Sequence, residues 1–167
     1  AAPPSLPARL NAFAGEMVQE SRAVLMAQHF LFRDPGTFVR LQLSLGDKAD
    51  YLRSSTTPAW ERRYRDLELL LGEMAERFRA AGVPFMLVLG TMHAQAALSV
   101  LRETPPGVDP AAIGRRMAAI ASRHGILFAD THDAFRKVPQ ANRMFLPVDG
   151  HMSAAGHALF ADALTRL

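Results

Sequence analysis

Two short apolar runs, residues 85–90 (FMLVLG) and 126–129 (ILFA), are the only segments of this 167-residue chain that read as buried strands. Each follows a helical pattern that a glycine stops: Gly82 before the first run, Gly125 before the second. A continuous apolar run behind a helix reads as a parallel strand buried on both faces. Strand, helix, strand in that order makes a right-handed crossover unit. The pattern predicts an α/β fold with helices on both faces of a parallel sheet. It also carries a deficit, because two strands cannot bury the apolar stripes of several long helices. Further strands are therefore expected from a segment upstream of Ala1 or from a partner chain.

The helices themselves are well marked. Residues 6–31 place Leu6, Leu10, Phe13, Met17, Val24 and Leu31 mostly on one face, and Asp34-Pro35-Gly36 ends that segment with a turn. Residues 58–81 form the clearest helix. Thr57 can cap it, Pro58 suits its first turn, and Trp60, Tyr64, Leu67, Leu71, Met74 and Phe78 make a buried stripe. Asp109-Pro110 starts another, with Ile113, Met117 and Ile120 facing inward, and the last helix runs from about Ser153 to Leu167. Residues 38–46 are ambiguous between a strand and a short helix. Val39, Leu41, Leu43 and Leu45 alternate as in a strand, whereas Phe38, Leu41 and Leu45 fit a helix, which is the reading preferred. There are no internal repeats.

Composition removes several function classes. Nearly half the chain is hydrophobic, enough for a sizeable core. The net charge is +3, the basic residues are mostly arginine, and no basic run exceeds two residues. A nucleic-acid footprint needs clustering that this chain lacks. No cysteine is present, so disulfides, thiolate metal sites and cysteine nucleophiles are excluded. No apolar stretch is long enough to span a bilayer. Ala1-Ala2-Pro3-Pro4 reads as a linker or a cut point. If the protein is exported, its signal is expected upstream. The sequence does not speak to oligomeric state.

Ligands of open parallel sheets bind beyond the carboxyl ends of the strands. Three segments are expected there: Thr91-Met92-His93, Asp130-Thr131-His132-Asp133, and Pro147-Val148-Asp149-Gly150-His151-Met152-Ser153. The third carries the most chemistry. A carboxylate and an imidazole lie two residues apart with a permissive glycine between them, just ahead of a helix. Asp149 would accept the Nδ1 proton of His151 and fix its tautomer, leaving Nε2 to take a proton from a nucleophile. His93 is a candidate for lining the substrate cleft. His157, on the first turn of the last helix, reads as structural, and Asp130 and Asp133 read as caps and turn residues.

Residues 145–157 (FLPVDGHMSAAGH), running into an Ala/Leu-rich terminal helix, resemble the last conserved block of the SGNH (GDSL-like) hydrolases. The similarity covers roughly residues 58–167, through the helix and strand of 58–90 and the helix and strand of 109–130. Residues 1–57 resemble only weakly the helical insertion of longer bacterial members. The resemblance implies a three-layer αβα, flavodoxin-like domain over 58–167, truncated at its N-terminus, with 1–57 as a helical segment ahead of it. It further implies a carboxylic-ester hydrolase using a Ser-His-Asp triad without cofactor or metal, in which Asp149 and His151 supply the acid and base. Its substrate would be a small-molecule or glycan ester.

The family's Gly-Asp-Ser and Gly-x-Asn-Asp blocks are not in this chain: Gly46-Asp47 is followed by Lys48, and Asn11 and Asn142 lie elsewhere. The Asp-x-His spacing matches a branch that includes polysaccharide O-acetylation proteins, so hydrolysis and acyl transfer both stay open. Two rival functions also stand. One is a metal-dependent hydrolase using His93, Asp130, His132, Asp149 and His151. The other is a nucleophile-less binding module.

Overall fold

The computed structural model describes residues 21–166. The expected helix over 6–31 lies partly outside them, and its described part is α1 (Arg22–Arg33). Asp34 ends α1 and caps α2 (Pro35–Leu43), accepting from the Thr37 N–H at 2.6 Å. The ambiguous segment at 38–46 is thus mostly helical. It packs against the later helix that His93 opens. A 3₁₀ turn (Gly46–Leu52) leads to α3 (Pro58–Ala80), which Thr57 caps through the Trp60 N–H as the sequence predicts.

The sheet is small. β1 (Met86–Leu89) and β2 (Leu127–Asp130) pair in parallel, with Met86 opposite Leu127 and Leu89 opposite Asp130. No further strand occurs among the described residues. Between the two strands lie α4 (His93–Ser99) and α5 (Ala112–Arg123). After β2 come α6 (His132–Phe135), a second 3₁₀ turn (Ala141–Met144) and α7 (Ala154–Thr165). The chain is an α/β protein dominated by helix.

Expected burial is met in part. Both strands were expected to be covered on both faces, yet Met86 remains 45% exposed and Leu127 57%. The stripe on α3 holds except at its C-terminal end: Tyr64 and Leu71 are buried, Trp60 and Leu67 pack partly buried against the core, and Phe78 lies at the surface, stacked on Phe85. Gly72 and Ala75 are buried with it, and a Cβ added at Gly72 would sit 2.8 Å from the His124 ring.

The main core joins Val39, Tyr51 and Leu52 to Leu71, Ala97, Met117 and Ile120. Residues ahead of 58 therefore share one core with those after it. A second cluster gathers Ala96, Phe135, Ala141 and Phe145, with Met152 and Phe160 packed against it. This second cluster underlies the loop that carries Asp149 and His151.

Candidate functional site

The loop from Phe145 to Ser153 is a tight reversal fixed by its backbone. Phe145 and Met152 form an antiparallel bridge, the Leu146 N–H donates to the His151 carbonyl at 2.7 Å, and the Gly150 N–H donates to the Leu146 carbonyl at 3.0 Å. Gly150 closes the turn at φ +72°, a conformation that a side chain would strain. Ser153 then starts α7, its Oγ accepting from the Gly156 N–H at 3.2 Å.

At the tip, Asp149 and His151 meet. One carboxylate oxygen of Asp149 accepts the His151 backbone N–H at 2.9 Å and lies 3.5 Å from the imidazole Nδ1. That second distance is longer than a strong hydrogen bond. Both side chains are open to solvent, Asp149 at 53% and His151 at 82%. The carboxylate thus stands beside the Nδ1 edge of the ring without a hydrogen bond between the two side chains.

A cleft of about 250 Å³ lies at the base of the same loop. Phe145, Leu146, Pro147 and Ser153 form one wall, and α1 forms the other through Phe32 and Arg33. Asp149 and His151 are not among its lining residues, whereas His93 is. His93 is only 6% exposed. Its ring is stacked between Phe38 (centroids 3.9 Å apart) and Phe145 (5.2 Å). Burial pushes its imidazole down to about 4, so the ring is neutral at physiological pH.

α4, which His93 opens, carries no periodic apolar signature in the sequence. That helix is buried nearly all round, from His93 to Leu98, so no amphipathic period shows. The available signal was its alanine content, a local helix preference without a polar face. A second unforeseen feature joins the strand ends. Thr131 Oγ1 accepts the Thr91 N–H at 2.9 Å and lies 2.9 Å from Thr91 Oγ1, all of it buried.

The remaining candidates sit apart. Asp130 caps the next turn through the His132 N–H at 2.9 Å, and Asp133 pairs with Arg136 at 2.6 Å. His132 is buried, with its Nε2 unpartnered, and desolvation lowers its pKa against the raising effect of Asp130 and Asp133. His157 is exposed on α7, and His124 reaches Glu68 at 3.4 Å. The Gly46-Asp47-Lys48 segment is a structural turn, tied to α3 through the Asp47 carbonyl accepting from Trp60 Nε1 at 2.6 Å. Among the described residues no three His, Asp or Glu side chains converge as a metal-binding group.

Fold and loop together define a class: an α/β protein whose small parallel sheet is followed by a rigid turn bearing an Asp–His pair beside a cleft. No family model, curated protein or solved structure matches the chain.

Proposed function

We propose that this chain carries the acid–base part of an ester-hydrolysing Ser-His-Asp centre of the SGNH type. The observation that carries the reading is the Asp149–His151 contact. One carboxylate binds the histidine's backbone N–H at 2.9 Å and stands 3.5 Å from Nδ1. A carboxylate on Nδ1 selects the tautomer whose Nε2 can accept a proton. His151 Nε2 takes the proton of an attacking serine hydroxyl and returns it to the leaving alcohol, and Asp149 stabilises the imidazolium between the two steps. The serine is supplied from outside these 167 residues. The domain in this reading is three-layered and flavodoxin-like. Its further strands would pair beside β1 and β2, and a layer packed on the widened sheet would cover Met86 and Leu127, exposed apolar side chains of the sheet. The substrate is a small-molecule or glycan ester, with water as the acceptor; transfer to a sugar hydroxyl would use the same groups.

The test is turnover of p-nitrophenyl acetate by the protein as its organism makes it. His151→Ala should lower kcat/KM by roughly a thousandfold or more, and Asp149→Asn should also lower it strongly by favouring the wrong tautomer. Unchanged turnover by the His151 variant would refute the assignment.

Two observations favour a second reading, a non-catalytic binding module. His151 is 82% exposed outside the cleft, and the chain has no Gly-Asp-Ser block. A natural protein that hydrolyses no ester, yet binds a glycan at this loop, would support it.

A further inference from the structure

The cleft beneath the 145–153 loop has a chemistry of its own. Its wall presents the His93 ring, held face to face between Phe38 and Phe145. Such a stack fixes the ring's orientation, so whatever its edge offers is offered in one direction. Nδ1 is sealed from solvent without a partner, and Nε2 makes no hydrogen bond among the described residues. Nε2 is the nitrogen left to meet a molecule in the cleft. A ligand oxygen accepting from Nε2–H would select the tautomer that puts the lone pair, and not a second N–H, on sealed Nδ1.

The rest of the lining says what carries that oxygen. Arg33 and Arg143 both contribute, and no carboxylate does among the described residues. Neither arginine is in an ion pair among the described residues. The two segments that bear them are tied together, with Asn142 Nδ2 donating to the Arg33 carbonyl at 3.3 Å. The body of the cleft is apolar, through Phe32, Phe145, Leu146 and Pro147. At about 250 Å³ it is smaller than the roughly 300–1,000 Å³ of drug-sized sites.

We propose that this cleft binds a small carboxylate with an aromatic or short aliphatic body, the body against Phe145 and the carboxylate between His93 Nε2 and the arginines. The inference stands whether or not Asp149 and His151 catalyse ester cleavage, because its test reads binding and not turnover. If they do, the cleft is the place where the acid half of the ester is held.

The test is a titration of the protein with benzoate and with its neutral analogue benzamide, followed through the ¹⁵N-labelled histidine rings. His93→Gln assigns the His93 signals. Benzoate should move them saturably and fix the Nε2–H tautomer. Benzamide should bind roughly tenfold or more weakly, since hydrogen bonds to a charged acceptor are about twice as strong as neutral ones. Arg33→Gln together with Arg143→Gln should weaken benzoate by a similar factor. Both arginines are exposed, so the melting temperature of that variant should stay near the parent's and separates lost binding from lost fold. Equal binding of benzoate and benzamide, or His93 signals that benzoate does not move, would overturn the proposal.

Discussion

Gly156 lies so close beneath Met144 that a Cβ added to it would stand 2.1 Å from the Met144 carbonyl oxygen. The same carbonyl accepts the Ser153 N–H at 2.8 Å. The first turn of α7 and the 3₁₀ turn before the loop are thereby pressed together, and the Asp149–His151 tip is anchored at both ends. Gly156→Ala should push α7 off that carbonyl. The expected cost is about 2–4 kcal/mol of unfolding free energy, at the upper end of overpacking effects. Ala155→Gly, at an exposed neighbouring position, should cost only about 1 kcal/mol. Urea denaturation of both variants checks this, and equal effects would show that the contact does not matter.

The buried Thr91–Thr131 pair should behave asymmetrically. Thr131 Oγ1 serves both the backbone N–H and the hydroxyl of Thr91, whereas Thr91 Oγ1 serves only its partner hydroxyl. Thr131→Val leaves a buried N–H without an acceptor and should cost roughly 1–3 kcal/mol. Thr91→Val should cost less. Thermal melts of the two variants, with the order reversed, would contradict the hydrogen-bond pattern.

His93 should make stability depend on pH. Desolvation holds its folded-state pKa at about 4, below the ordinary 6.5. The unfolded chain therefore binds more protons between those values. The neutral ring's contribution is complete above pH 6.5 and is lost as pH falls toward 4. His132, also lowered by burial, adds in the same direction. The carboxylates held low, Asp34, Asp50 and Asp109 among them, are lost only below their ordinary 3.8. Between pH 7 and pH 5 the loss attributable to His93 should be about 1–2 kcal/mol, after allowing for water in the cleft. Urea midpoints at both pH values should fall further for the parent than for His93→Gln.

The Asp149–His151 tip should separate function from stability. His151 is 82% exposed, so His151→Ala should change the unfolding free energy by no more than about 0.5 kcal/mol. An activity loss in the natural protein with that stability unchanged would point to chemistry, and a large destabilisation would point to a structural role. The 167-residue chain alone should turn over p-nitrophenyl acetate no faster than free imidazole at equal concentration. Robust turnover would place the nucleophile inside this chain.

Local signals served the reading well where the chain's own neighbours decide the outcome. Thr57 and Ser153 cap the helices they precede, and Gly82 and Gly125 end theirs with positive φ. At residues 38–46 both patterns were present, and the preferred helix reading holds through Leu43, where the segment packs on α4. The same helix shows why the sequence marks His93 as a cleft residue but not as the start of a helix: an element buried on all sides has no polar face to betray its period.

By itself the sequence determined the two strand runs, the helices around them and the turn that brings Asp149 to His151, because each rests on residues adjacent in the chain; the parallel pairing of the strands followed from the helical crossover between them. Tertiary structure alone decided that Phe38 and Phe145, more than a hundred positions apart, close on His93 from either side. It alone placed the Met144 carbonyl where only a glycine fits. Contacts of that kind depend on which surfaces meet in space, and a linear pattern of apolar and polar residues does not encode the distance between them.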